Sequence, residues 1–212
     1  MNRTFIILFM AAVAAFAATA QTAMPQSQAK ELAERINTVA SSISTMQCGF
    51  EQVKELSILK DRMVSEGTMC YRSPNQLRWE YTSPYAYRFI LDGDKVTMDN
   101  GRTSNTVDIR SSRMFQEIAR IMMGSVTGRC IGEGSDFKAA YYTSPDGGWI
   151  VRLTPVKKQL KHMFKDVALH ISASTSMVSE IEMTENNGDR TVIRFKDIKI
   201  NKPLDDSVFK VH

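Results

Sequence analysis

This sequence predicts one antiparallel β domain rolled into an incomplete barrel and covered by short helices. Turn signals recur at Lys60-Asp61, Pro74-Asn75, Ser83-Pro84, Asp92-Gly93, Asn100-Gly101, Asp146-Gly147-Gly148 and Asn186-Asn187-Gly188, the spacing of a meander built from hairpins. Between these turns apolar and polar residues alternate with a period of two. The roughly ten or eleven strands so delimited are more than an open twisted sheet carries without curling. Curling buries one face of the sheet, and two amphipathic segments are available to cover the opening. The fold class is therefore mainly β with two or more short helices, an unclosed antiparallel barrel with a helical lid.

The first element is not part of that fold. Arg3, the apolar run Phe5 to Phe16 and the small residues Ala18-Thr19-Ala20 before Gln21 read as a secretory signal peptide over residues 1–20. Its apolar core is short for a transmembrane span. Residues 21–212 are expected to form a single exported domain in the periplasm. Residues 27 to 42 then place Ala29, Leu32, Ala33, Ile36, Val39 and Ala40 on one helical face, with Ser27 as N-cap.

From Met46 the period changes to two. Leu77, Trp79 and Tyr81 alternate with Arg78 and Glu80, and Tyr87, Phe89 and Leu91 repeat the pattern on the next strand. A second helical face follows in Met114, Phe115, Ile118, Ala119, Ile121, Met122 and Met123, with Gly124 expected to end it. Strands are expected to resume around Arg129. Trp149, Val151 and Leu153 define one, then Val167, Leu169 and Ile171, then Ile181 and Met183. In the last long strand Ile193 and Phe195 are odd-numbered while Ile198 and Ile200 are even, which a bulge or sharp bend near Lys196-Asp197 would reconcile. Pro203, Val208 and Phe209 are expected to complete a final edge.

These parities assign an inner wall: Met69, Leu77, Trp79, Tyr81, Tyr87, Phe89, Leu91, Met98, Trp149 and Val151. The expected lid carries Met114, Phe115, Ile118 and Met122. Eleven of the thirteen methionines lie beyond the leader. Methionine either fills core gaps or supplies a wall that re-packs around variable apolar guests, and both readings stand.

Composition excludes several functions. The formal charge is +4, and the densest basic segment, Lys157, Lys158, Lys161 and Lys165, reads as a solvated edge rather than a nucleic-acid stripe. The histidines are His162, His170 and His212, none in a metal-ligand spacing, and His170 reads as a structural strand residue. Gly132-Glu133-Gly134-Ser135 is off-pattern for a nucleophile elbow. No catalytic residue, metal or cofactor is assigned, and no enzyme activity is expected. Of the cysteines Cys48, Cys70 and Cys130, the first two should sit on paired strands. With Phe50 and Met69 facing the core, Cys48 faces in and Cys70 out, so they do not bond.

The order Gly67, Pro74, Leu77-Arg78-Trp79, Tyr81, Pro84 and Asp92-Gly93 resembles the LolA family of periplasmic lipoprotein carriers. The similarity extends from the first helix and Phe50-Glu51-Gln52 to Leu153-Thr154-Pro155 and Phe209-Lys210-Val211. The resemblance implies a hydrophobic cavity under the lid that takes the acyl chains of lipoproteins. It further implies an inner-membrane ABC transporter complex as donor, delivery at the outer membrane to an unspecified acceptor, and a monomeric carrier. The family commonly has an arginine before the proline of the central block, where it locks the lid. Here Ser73 occupies that place and Arg72 precedes it, one residue along and so on the opposite strand face. The lid is then expected to be held by apolar contacts alone. Alternative readings are a carrier of another hydrophobic lipid and a lipid-sensing regulatory protein.

Overall fold

The computed structural model describes residues 21–59, 61–111, 113–131 and 136–210. The leader expected over residues 1–20 and the segment Gly132 to Ser135 lie outside these. The chain runs β1 (Thr22–Ala23), α1 (Gln26–Ser42), β2 (Thr45–Leu56), β3 (Asp61–Arg72), β4 (Gln76–Ser83), β5 (Tyr87–Asp92), β6 (Lys95–Asp99) and β7 (Ser104–Asp108). It continues through α2 (Arg113–Thr127), β8 (Phe137–Thr143), β9 (Trp149–Pro155), α3 (Lys158–Met163), β10 (Phe164–Ile171), β11 (Val178–Glu185) and β12 (Arg190–Ile200).

The twelve strands among the described residues join one antiparallel sheet in the order β1-β8-β9-β10-β11-β12-β2-β3-β4-β5-β6-β7. Hairpins produce this order wherever a short turn links neighbours, and the β12–β2 pairing joins the two halves. The end strands β1 and β7 do not pair with each other, so the barrel is unclosed, as the sequence predicts. Turn glycines permit the tight reversals: Gly93 and Gly101 adopt φ of 61° and 78°, a region that costs a Cβ-bearing residue.

The two faces differ in chemistry. The inner face joins α1 residues Leu32 and Ile36 in one apolar cluster with Met46, Phe50, Met69, Tyr71, Leu77, Trp79, Leu91, Val151, Leu169 and Ile181. On the outer face opposite charges pair across strands: Arg152 with Asp166 at 2.8 Å, Glu182 with Arg190 at 2.9 Å and Glu180 with Arg194 at 2.7 Å. Ala168 and Val192 are buried there between such residues, whose long aliphatic stems shield small apolar neighbours. Parity is kept on the inner face by the expected bulge. The β12–β2 register shifts between Lys196 and Lys199, with Asp197 at a φ of 53°.

Several expectations at element ends are corrected. The N-cap position of α1 is Pro25 rather than Ser27, and no side chain caps it. Helix α2 passes through Gly124 and ends before Gly128, whose φ of 83° turns the chain. Gly124 instead gives Cys130 room: a Cβ there would stand 3.3 Å from the Cys130 Cβ. Arg129 lies in the turn after α2, not in a strand, and the next strand among the described residues is β8 from Phe137. The segment with four lysines contains the short helix α3. Residues Asp206–Phe209 form a 3-10 turn, not an edge strand. Phe209 is buried, and the Arg72 guanidinium lies 5.0 Å from its ring centroid.

All three cysteines are free. Cys48 pairs in register with Met69 on the inner face, while Cys70 stands opposite Gln47. Burial, with a smaller push from Cys70, raises the Cys48 thiol from 9.0 to about 12. A raised pKa means that the neutral thiol's contribution to stability is complete below pH about 9 and drains away as pH climbs towards about 12. Iodoacetamide at neutral pH is expected to leave Cys48 unmodified in the folded protein and to label it in urea, as peptide mass mapping would read.

Candidate lipid-binding interior

Strand register gathers the predicted wall residues into rows. Met69, Trp79, Phe89 and Met98 lie directly across β3, β4, β5 and β6 from one another. Beside them Tyr71, Leu77, Leu91 and Val96 form a second row, and Gly67, Tyr81 and Tyr87 a third. From the other half of the sheet, Val151 stands in line with Leu169, Ile181 and Ile193, and Trp149 with Ile171.

Burial falls off across these rows. Tyr71, Leu77, Leu91 and Val96 are fully buried, as are Met69, Trp79 and Val151. Phe89, Met98 and Tyr81 are half-buried against the apolar cluster, and Tyr87 is 38% exposed. The interior is therefore sealed at the Leu77 row and opens towards Tyr87. Trp149, also half-buried, carries the Arg35 guanidinium of α1 at 5.1 Å from its ring centroid.

An aromatic nucleus sits midway along this gradient. Phe50 and Trp79 have ring centroids 4.3 Å apart, Phe50 meets Tyr81 edge-on at 5.3 Å, and Phe195 approaches Trp79 at 6.2 Å. Gly67 lies under the Phe50 ring, where a side chain would collide with it. Polar atoms are few here. The Tyr81 hydroxyl donates to Gln52 Oε1 at 2.9 Å, and burial holds its pKa above the ordinary tyrosine value despite the opposing effect of Trp79 and Gln52. The Trp79 indole N–H points close enough to Tyr81 to influence it but has no partner in hydrogen-bond geometry, and it is buried.

Two helices cover the interior. Helix α1 inserts Leu32, Ile36 and Ala40, spaced one turn apart. Helix α2 contributes buried Ala119, Ile121 and Val126, with Met122 half-buried on the same cluster. The side chains of Met114, Phe115 and Ile118 lie outside the described residues. The helices approach closely where α2 ends, because a Cβ on Gly128 would stand 3.1 Å from Ile36 Cγ2. A groove of about 860 Å³ separates α1 from β8, lined by Ala29, Ala33, Ala139 and Tyr141 among others, and a space of about 290 Å³ adjoins α2 next to Tyr71 and Phe137.

The polar tie on α2 comes from a residue the sequence reading passed over. Arg129 donates to the Tyr71 hydroxyl at 3.0 Å and to the carbonyls of Ala40 at 3.3 Å and Ile43 at 3.4 Å. The Ala40 carbonyl in the last turn of α1 otherwise accepts only the long Ile43 N–H bond at 3.4 Å, so the guanidinium adds a donor there and meets the negative end of the helix dipole. The end of α2 is thus bound to α1 and β3 by charge-assisted bonds, which corrects the expectation of apolar contacts alone. Arg72 takes no part. Its side chain is on the outer face, bonded to Asp206 at 2.6 Å and to the Leu204 carbonyl at 2.5 Å. A guanidinium just past a helical apolar run was the available signal, but nothing local marks its partners 58 and 89 residues away.

One group of side chains has a ligand-like arrangement elsewhere. Ligand atoms of His170, Glu180 and Glu182 lie within 4.8 Å of one another on the outer face. Both carboxylates are already engaged, by Arg194 and Arg190, so a cation there would have to displace those pairs.

Comparison with known proteins adds a family to this geometry. The family model described as outer membrane lipoprotein carrier protein LolA matches residues 41–212. An outer-membrane lipoprotein carrier protein of Methylococcus capsulatus is 24% identical over 195 residues, covering 92% of this chain and 86% of the relative. The protein of the same description from Chromohalobacter salexigens is 26% identical over 178 residues, covering 84% and 80%. Among solved structures, an uncharacterized conserved protein from Thermus thermophilus superposes with a TM-score of 0.53 at 10% identity, covering 87% of this chain and 94% of that one, a likeness of fold.

Proposed function

This chain belongs to the LolA family of outer membrane lipoprotein carriers, and from that premise we propose that it binds the acyl chains of lipoproteins inside its barrel and carries them across the periplasm. The donor in this reading is an inner-membrane ABC transporter complex and the destination is the outer membrane. The observation that carries the proposal is the graded interior: apolar rows sealed under α1 and α2 at one end and open at Tyr87. Burial of an acyl chain contributes about 0.8 kcal/mol per methylene, enough to hold a lipid-modified protein in water without any bond chemistry.

The residues divide the work. The wall of Met69, Leu77, Trp79, Phe89, Leu91, Met98 and Val151 provides non-directional apolar contact, with methionines adapting to chains of different length. Helices α1 and α2 fill the space in the empty carrier. Their withdrawal costs buried contacts, and this offset keeps the cargo releasable. Arg129 sets the resting position of α2 through Tyr71 and the end of α1.

Mass spectrometry of material co-purifying with the protein from periplasm tests this reading. Acylated proteins are the expected companions. Recovery of free small lipids in their place would move the assignment to carriage of another hydrophobic molecule.

A further inference from the structure

Large apolar side chains are concentrated on the surface at the turn between β2 and β3. Ile58 is 84% exposed and Leu59 71%, and Met63 and Val64 on the same hairpin are about half exposed. Single exposed aliphatics are ordinary, but a cluster at one projecting point is not. The hairpin stands free on one side: β12 flanks β2 as far as Glu55, whereas β4 meets β3 only from Glu66 onward. The unflanked part of β3, Asp61 to Ser65, extends about 17 Å at strand rise.

The turn is held firmly, and a basic surface adjoins it. Ser57 donates its backbone N–H to Asp189 at 2.9 Å and its hydroxyl to the Asn187 carbonyl at 2.8 Å, which fixes the tip against the β11–β12 turn. Asn186 in that turn donates to the Lys161 carbonyl at 2.6 Å, so α3 is its other neighbour. Residues 156–165 contain four lysines and no acidic residue. Lys157 pairs with Asp136 at 2.7 Å, while Lys158, Lys161 and Lys165 are exposed. The half-open end of the interior, at Tyr87, is at this same end of the sheet.

We infer that this end of the barrel docks on a phospholipid surface bearing anionic headgroups, with Ile58 and Leu59 entering the interfacial layer and the lysines of α3 and the start of β10 facing the headgroups. A bilayer fits better than a protein partner. A convex tip of a few aliphatic side chains offers far less than the roughly 800 Å² per side of a stable protein interface, whereas a bilayer needs no shape complementarity. Two aliphatic anchors and a few lysines give weak, reversible attachment. The inference goes beyond acyl-chain carriage, because it concerns where the protein rests and not what it holds.

Flotation with vesicles tests it, using phosphatidylethanolamine mixed with phosphatidylglycerol and, separately, phosphatidylcholine alone. The full protein is expected to float with the mixed vesicles and much less with phosphatidylcholine. The double variant Ile58→Ser/Leu59→Ser should bind the mixed vesicles at least about tenfold more weakly. Replacing Lys158, Lys161 and Lys165 by Gln should cost about fivefold per lysine at low salt and remove the salt dependence. Both variants should still take up lipoprotein acyl chains from detergent, so loss of docking is separable from loss of carriage. Wild-type flotation in both variants, no flotation of the wild type, or a tip substitution that only dissolves a dimer seen by light scattering would each overturn the inference.

Discussion

Gly67→Ala is expected to destabilise the protein by about 3 kcal/mol or more, seen as a fall in the urea midpoint at unchanged slope. An added Cβ would lie 2.0 Å from the Glu80 carbonyl oxygen and 2.5 Å from Phe50 Cζ. The oxygen belongs to the backbone of β4, in register with Thr68 of β3, so it has no side-chain torsion with which to retreat. Moving it would disturb the ladder that holds Trp79 and Tyr81 in their rows. The Phe50 ring, wedged between Trp79 and Tyr81, has no free direction either. Gly49→Ala on the neighbouring strand is the control: its nearest contact would be 3.8 Å, an ordinary packing distance, and the change should stay within about 1 kcal/mol of neutral.

The second large effect concerns gating. Linking position 42 at the end of α1 to position 129 beyond α2 with a reducible cross-linker should abolish acyl-chain uptake, reducing apparent affinity about tenfold or more, and reduction should restore it. Ser42 and Arg129 are both exposed, and the Arg129 side chain already reaches the end of α1, so the link holds the resting arrangement without distorting it. Serine replacements at Cys48, Cys70 and Cys130 keep the chemistry at the introduced pair. Uptake by the linked protein at the unlinked rate would mean that α2 need not part from α1.

Much of the architecture was legible because strand parity and turn chemistry are local. The alternation around Trp79 and the Asp92-Gly93 turn need only neighbours in sequence to be read. The bulge near Asp197 was legible from a parity conflict within one strand, since Ile198 and Ile200 could not otherwise share a face with Phe195. What failed was set by distant partners. Gly124 looks like a helix stop, yet its place inside α2 is decided by the return of Cys130. The Val208-Phe209 pair has the composition of a strand, but Arg72 and the outer face of β4 and β5 make it a docked 3-10 turn.

The candidate site shows the same division. Each wall residue could be placed on the inner face by parity, whereas its depth could not. Tyr81 and Tyr87 look equivalent to Leu77 and Leu91 in sequence, but they occupy the row that opens to solvent. Arg129 was missed because its role depends on Tyr71 and on the last turn of α1, which meet only after the sheet has curled. The exposed Ile58-Leu59 turn likewise stands out only once β4 is seen to stop short of it.

Photocross-linking in the periplasm addresses acyl-chain carriage inside the barrel most directly. A photoreactive phenylalanine analogue at Met98, on the inner face and half-buried, is compared with the same analogue at Thr97, which faces outward and bonds to Thr106. Acylated lipoproteins linked through their lipid to position 98 and absent at position 97 are the predicted result. Equal adducts at the two positions, or lipid adducts at position 97 alone, would contradict it.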